Sequence, residues 1–260
     1  MMLETLDIKL IGPAFIAGLL ILVTHVPLGR QVLGRGIVFL DLAVAQIAAL
    51  GVIAAHYAGL ESGWMVQVFA VSAAIVGAVL LNLAEQRWPE TQEALIGSVF
   101  VVSASLGILL LAHDPHGGEA MQDLLAGQIL WVGNRQLLAA AVITLALAVL
   151  LLTRFSRRGI GFYLLFACAV TLSVQLAGVY LVFASLIVPA LAARRLAGLH
   201  GLVAGWGVGA LGYASGLTLS AMLDLPSGAM VVCALALVAL LFVSVFMPLL
   251  QSGRERLGLK

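Results

Sequence analysis

Charged residues are scarce in this chain of 260 residues. They make up 10% of it, against about 25% in soluble domains. Aromatic residues are also few, at 7%, whereas 63% of the residues are hydrophobic and the mean hydropathy is +1.16. So little polar surface cannot cover a water-soluble domain, and a net charge of +1 gives no indication of nucleic-acid binding. The chain is predicted to be an integral membrane protein, with residues 1–260 forming one transmembrane domain.

Motifs for enzymatic chemistry are missing as well. There is no G-x-x-x-x-G-K-[ST] phosphate loop, and no Ser/His/Asp set or paired carboxylates indicate hydrolysis. The chain is therefore not expected to be an enzyme, and uphill transport would need an ion gradient or a partner protein. Cys168 and Cys233 lie in apolar runs and are interpreted as small buried residues. Glu4 and Asp7 replace the basic start of a signal peptide, so the first apolar run is expected to be retained as a helix.

Long apolar runs are what the chain has in abundance. A bilayer core takes about 20 helical residues, and lipid offers backbone groups no hydrogen-bond partner outside the helix. The predicted fold is therefore all-α, a polytopic bundle of about eight to nine transmembrane helices. Nine runs, each interpreted as long enough to cross, lie at 11–29, 37–58, 64–83, 94–112, 136–153, 160–177, 179–193, 201–222 and 229–249.

Two segments fit this scheme less well. Residues 120–135 have an apolar helical pattern that is too short to cross twice, so they are predicted to lie along the membrane or to dip into it. The run at 179–193 is short and follows the previous run after only Ala177 and Gly178. A helix broken at Gly178 is predicted, because such breaks are tolerated where they face protein or a water-filled cavity.

Lysine and arginine set the orientation, because they are enriched on the cytoplasmic side of membrane proteins. With the N-terminus outside, only Lys9 and Arg135 lie on the outer side. The other basic residues all lie on the inner side: Arg30, Arg35, Arg87, Arg154, Arg157, Arg158, Arg194, Arg195, Arg254, Arg256 and Lys260. The outer side collects acidic residues: Glu4, Asp7, Glu61, Asp114, Glu119, Asp123 and Asp224. The N-terminus is predicted outside and the C-terminus in the cytoplasm.

Asp41 is the only ionisable residue well inside a predicted span. A carboxylate there is costly unless it is paired, hydrated or protonated, so such residues commonly mark ion pathways. Gln46 follows five positions later, about 140° around the helix. Two interpretations stay open. Asp41 belongs to an ion pathway, or it lies near the cytoplasmic end and pairs with Arg35.

The outer loop HDPHGGE concentrates side chains that bind metals. Two imidazoles and two carboxylates, all ligands for zinc, manganese and iron, come from His113, Asp114, His116 and Glu119. His56 and Glu61 lie at the outer end of the second span and are predicted to face the same mouth. The alternative is an ordinary solvated loop in which proline and glycine make the turns. His25 and His200 lie near the inner face and are interpreted as structural.

Residues 175–195, QLAGVYLVFASLIVPALAARR, resemble a segment of the membrane subunits of ABC-type zinc/manganese/iron importers, V-x-x-V-G-A-L-L-V-x-A-L-L-I-I-P-A-A-T-A-R. The matching residues are Gly178, Leu181, Leu186, Ile187, Pro189, Ala190, Ala193 and Arg194. DLPSGAMVV (224–232) is similar to the family's D-T-P-A-G-P-x-I-V, and LLAGQILWV (124–132) to its L-F-G-D-I-L-A-V. FLDLAVAQIAALG (39–51) resembles its second-span stretch F-x-G-D-x-L-A-H-A-x-L-x-G.

The second-span stretch departs from the family at its polar positions. The resemblance implies that an Asp and a His there belong to the metal path, but Leu42 falls on the Asp and Gln46 on the His. Asp41 stands one place earlier. A glutamine carbonyl is a poorer transition-metal ligand than an imidazole. Either Asp41 substitutes from the neighbouring position, or the outer histidines contribute more.

The resemblance implies a permease subunit of an ABC importer for a divalent transition-metal ion, with zinc favoured and manganese or iron as alternatives. No cofactor is expected on the chain besides the transported ion. The implied partners are a second permease copy, identical or paralogous, a cytoplasmic ABC ATPase, an extracytoplasmic metal-binding protein and the lipid of a bacterial inner (plasma) membrane. The predicted ATPase-coupling turn is 189–199, where Pro189 weakens the helix before Ala193, Arg194 and Arg195.

Three other functions fit the sequence less well. An ion-coupled secondary transporter would use Asp41, but the sequence has no matched pair of interrupted helices in two halves. An ABC permease for an organic cargo such as a corrinoid or haem fits less well, because aromatic residues are few and the acidic outer face favours a bare cation. A purely structural membrane subunit would not need a docking turn.

Overall fold

The computed structural model describes residues 8–60, 62–112, 117–127, 129–157 and 159–246. The described residues are mainly α-helical and contain no strand, which confirms the predicted all-α bundle. The helices are α1 (Ile8–Arg35), α2 (Leu40–Tyr57), α3 (Gly63–Arg87), α4 (Gln92–Leu111), α5 (Gly117–Ala126), α6 (Asn134–Leu152), α7 (Gly159–Ala177), α8 (Val179–Ala192), α9 (Gly198–Leu223) and α10 (Ser227–Leu241). A π-helical turn at Phe242–Phe246 follows α10.

Eight of these helices are long and apolar enough to cross a membrane: α1–α4, α6, α7, α9 and α10. Helix α8 has 14 residues, a length of about 21 Å, which is shorter than the lipid core of about 30 Å. The run at 179–193 thus forms a short helix after the break at Gly178, and the eight long helices of the described residues agree with the predicted eight to nine. The other eight predicted runs each coincide with one long helix.

Helices α1 and α9 pack closely because glycines line their contact. A Cβ at Gly205 would lie 2.7 Å from Val26, and one at Gly209 would lie 2.5 Å from Leu22. Trp206 Nε1 also donates a hydrogen bond to the Leu22 carbonyl at 3.1 Å. As the numbers rise along α9 they fall along α1, so the two helices are antiparallel. Helix α9 therefore begins at the inner end of α1.

The chain reverses between α7 and α8 at Gly178, whose φ is +77°. A Cβ at Gly178 would collide with the backbone nitrogen of Gly127, and one at Gly127 would collide with the Ala177 carbonyl. The connection between α5 and the 3₁₀ turn Ile129–Trp131 thus packs backbone to backbone against this reversal. The helix break predicted at Gly178 is confirmed, and residues 120–135 contribute a short helix and a turn rather than a span.

Candidate functional site

Asp41 lies in the first turn of α2, at the inner end of the helix, and is 1% exposed. Neither of its carboxylate oxygens has a hydrogen-bond partner. The Arg35 guanidinium lies 3.8 Å from the Glu85 carboxylate and 4.1 Å from the centroid of the Phe162 ring. The interpretation that Asp41 pairs with Arg35 is therefore wrong. A buried carboxylate without a partner is costly unless a cation or a proton neutralises it.

Gln46 faces a narrow crevice between α2, α4 and α5. Ser103 of α4 lines this crevice, and Met121 and Leu125 of α5 line it from the outer side. Both polar residues are 6% exposed. The crevice thus offers one amide and one hydroxyl, and no carboxylate lies among its lining residues. Since Asp41 and Gln46 are about 140° apart around α2, they point to different sides of that helix.

An outer cavity of about 370 Å³ opens at the outer ends of α2, α4 and α5. His56 and Tyr57 of α2 line it together with Asp123 of α5. An imidazole and a carboxylate on the walls of one cavity can bind a divalent transition-metal ion. Asp123 was overlooked as a site residue in the sequence. The signal that could have found it is its spacing from Glu119, because residues four apart share one helix face.

The outer cavity and the crevice are separated by two apolar side chains. Ile53 of α2 and Leu124 of α5 line both spaces. An ion that moved from the outer cavity to Gln46 and Ser103 would pass between α2 and α5 at this point. Helix α5 therefore lies over this crevice.

The remaining predicted ligands are distributed as follows. His113, Asp114 and His116 fall outside the described residues, and Glu119 is exposed in the first turn of α5. Within the described residues, no group of three or more His, Cys, Asp or Glu side chains comes together. Asp41 is fifteen residues from His56 along α2, a distance of about 22 Å. The structure thus brings His56 and Asp123 together and places Asp41 at the opposite end of the helix.

The predicted coupling turn is a compact connection between α8 and α9. Pro189 lies inside α8 and is buried, and its carbonyl accepts a hydrogen bond of 3.1 Å from the N–H of Ala193. Ala193 is fully buried, whereas Arg194 and Arg195 are exposed. The turn therefore presents two arginines at the inner face on a buried, hydrogen-bonded base.

Comparisons with known proteins agree with this architecture. The model of the ABC 3 transport family matches residues 7–158 and 156–247. Among solved structures, a chain of PsaBC from Streptococcus pneumoniae in complex with Fab is similar, with a TM-score of 0.75. The match covers 94% of this chain and 96% of that chain at 19% sequence identity, so it shows a shared fold. No curated protein matches the sequence.

Proposed function

We propose that this protein carries a divalent transition-metal ion across a bacterial inner membrane. The chain belongs to the ABC 3 transport family of ABC metal-importer permeases. The observation that supports a metal most directly is the outer cavity, which His56 and Asp123 both line. Imidazole with carboxylate favours zinc, and manganese or iron are the alternatives. At about 370 Å³ the cavity lies near the lower limit of organic-ligand pockets, which disfavours a corrinoid or haem.

The proposed route starts at the outer cavity and follows α2 inward. The ion, delivered by an extracytoplasmic metal-binding protein, contacts His56 and Asp123. It then passes Ile53 to reach the oxygens of Gln46 and Ser103. Asp41, on another side of α2, is proposed as a separate contact near the inner end of this helix. Ligands become weaker from imidazole and carboxylate to amide and hydroxyl, so the ion is not trapped in mid-membrane.

The outer loop supplies further ligands in this proposal. The loop joins Leu111, which lines the outer cavity, to the start of α5. His113, Asp114, His116 and Glu119 remain proposed ligands that capture the ion. Neutral histidine binds metal at the near-neutral pH of the outside medium.

Energy is proposed to come from a separate cytoplasmic ATPase, with two permease copies forming the complete transporter. The ATPase docks on the turn that carries Arg194 and Arg195. Since Ala193 is buried at the base of this turn, a push on the turn is transmitted into α8. The permease itself hydrolyses no ATP.

The outer site is tested by uptake of radioactive zinc in proteoliposomes that contain the whole transporter. His56→Ala and Asp123→Asn each remove one ligand, so we expect KM to rise by about tenfold, as for the loss of about 1.4 kcal/mol. The matched control is His200→Ala, because His200 is an exposed histidine at the start of α9, on the inner side. An unchanged KM in both cavity variants would remove His56 and Asp123 from the proposal.

Coupling is tested by counting zinc ions transported per ATP hydrolysed. Replacing Arg194 with Ala and Ala193 with Phe should lower this ratio while ATP hydrolysis continues, because the turn no longer transmits the closure of the ATPase. Arg87→Ala changes an exposed arginine at the inner end of α3 and should leave the ratio unchanged. Normal coupling and normal ATPase binding in the turn variants would show that the ATPase docks elsewhere.

A further inference from the structure

Two arginines line one pocket at the inner ends of α1 and α8. The pocket has a volume of about 330 Å³ and is lined by Arg30, Arg194, Leu33, Gly34, Ala190 and Leu191. No acidic residue is among these lining residues. Two cations that face one space repel each other, and an anion between them removes this cost. The pocket therefore has the charge of an anion-binding site.

Arg30 is fixed in its place between the helices. Its Nη2 donates a hydrogen bond of 2.9 Å to the carbonyl of Leu196. Its Nη1 is buried without a hydrogen-bond partner, and it lies where a Cβ at Gly201 would be. The missing side chain at Gly201 thus makes room for the guanidinium. Because Arg30 is only partly exposed, its charge stays at the inner face and cannot move freely into water.

An apolar groove of about 400 Å³ lies beside this pocket, between α8 and α10. Leu191 and Arg194 line both the pocket and the groove, so the two spaces adjoin across these two side chains. Apart from Arg194 and Arg195 at its edge, the groove is lined by apolar side chains, among them Ala236 and Leu240. A ligand that fills both spaces has an anionic head and an apolar tail.

We propose that this pocket and groove bind one anionic phospholipid of the inner leaflet. The phosphate lies between Arg30 and Arg194, and an acyl chain lies along α8 and α10. Basic pockets between transmembrane helices on the cytoplasmic side suit anionic headgroups, and the apolar lining of the groove suits an acyl chain. Arg30 also donates a hydrogen bond to the Leu196 carbonyl in the turn between α8 and α9. The bound lipid therefore contacts a residue that stabilises this turn. The site does not depend on which cargo the protein carries.

Native mass spectrometry of the full-length protein tests the site. Delipidated protein is titrated with phosphatidylglycerol and, separately, with phosphatidylcholine. We expect one phosphatidylglycerol to be retained preferentially, and its affinity to fall about fivefold in Arg30→Gln and in Arg194→Gln, since each arginine contributes about 1 kcal/mol. Arg87→Gln, which changes an arginine of the inner side outside both spaces, should bind as the wild type does. Ala236→Trp fills the groove and should also weaken retention, although both arginines remain.

Four results would overturn the proposal. Equal retention of both lipids would show no headgroup recognition, and an equal loss in Arg87→Gln would show only a general surface-charge effect. Displacement of the lipid by millimolar inorganic phosphate, with Ala236→Trp unaffected, would indicate a free-anion site. A disulfide between two copies of Ala236→Cys, with no lipid retained, would show that a second copy covers the groove. None of these readouts involves metal uptake, so failure here leaves the proposed transport function untouched.

Discussion

Asp41 is the side chain whose surroundings fit a purely structural role least well. Both carboxylate oxygens lack partners, and Arg35 is engaged by Glu85 and Phe162. Asp41→Asn keeps the shape and removes the charge. We expect zinc uptake to fall by about tenfold, while the melting temperature in detergent stays the same or rises, because an unpaired buried charge is removed.

The matched control for this change is Asp224→Asn, at an exposed position beyond α9 whose φ of 52° asparagine also tolerates. Its uptake should be normal. Wild-type uptake in Asp41→Asn together with a higher melting temperature would mean that Asp41 has no part in the route.

Tyr213 and Ser185 illustrate a polar contact that holds α9 against α8. Their hydroxyl oxygens are 2.8 Å apart, and both residues are fully buried. Tyr213→Phe should lower the free energy of unfolding by about 0.6 to 1.7 kcal/mol, the range for such bonds in membrane proteins. Tyr180→Phe, at a residue that is 55% exposed, should have no effect. Unfolding in mixed micelles measures both, and equal values would contradict the role of the bond.

Single side chains could be predicted from the sequence only in part. The burial of Asp41 followed from its place in an apolar run, because lipid and protein both exclude water there. The ion pair between Arg35 and Glu85 could not be predicted, because it joins α1 to α3 and no local sequence pattern specifies that these two helices pack together. The spacing of Asp123 from Glu119 could have marked it as a site residue, but its place on the same cavity as His56 depends on where α5 packs.

The α5 connection and the α7–α8 reversal make a close backbone contact. Gly127→Ala and Gly178→Ala each place a methyl group against the opposing backbone at a positive φ. The φ alone costs about 1–2 kcal/mol, so both variants should melt several degrees lower. Gly97→Ala, inside α4 with no atom within 4 Å of its Cβ, is the control and should not be destabilised. Thermal unfolding in detergent measures all three, and an equal shift in Gly97→Ala would refute this packing argument.

Helices as elements could be predicted well, and their ends less well. Lipid requires each apolar run to be helical, so the run at 64–83 corresponds to α3 and the run at 201–222 to α9. Helix α3, however, continues to Arg87, and α1 continues to Arg35. A helix can extend beyond the apolar core because its backbone hydrogen bonds also form in the headgroup region. These terminal turns contain charged and polar residues, so hydropathy does not mark them as helical. The run at 179–193 corresponds to α8, Val179–Ala192, because the break at Gly178 and the turn after Ala192 both leave a signal in the sequence.

At the scale of the whole molecule, the basic residues predict the orientation and the family resemblance predicts the fold. The family match over residues 7–158 and 156–247 confirms the resemblance seen in the sequence. The outer cavity was not predictable, because it requires three elements that are separated along the chain to meet. The distances between α2, α4 and α5 are set by packing, which no single motif specifies.

Orientation is tested by cysteine labelling in a background with Cys168 and Cys233 changed to Ala. Gly34→Cys and Gly118→Cys place thiols at exposed positions with no atom within 4 Å of the added Cβ. A membrane-impermeant maleimide added to intact spheroplasts should label Gly118→Cys alone, and Gly34→Cys should react only after permeabilisation. The reverse pattern would invert the topology and place His56 and Asp123 in the cytoplasm.

The most direct test of the function is uptake by the wild-type transporter in proteoliposomes. The protein is reconstituted with the proposed partners, a cytoplasmic ABC ATPase and an extracytoplasmic metal-binding protein. Uptake of radioactive zinc, manganese and iron is then compared with ATP or with a proton gradient alone. We predict uptake that requires ATP, with zinc transported best. Active ATP hydrolysis without uptake of any of the three metals, or uptake driven by the proton gradient without ATP, would contradict the assignment as an ATP-driven metal importer.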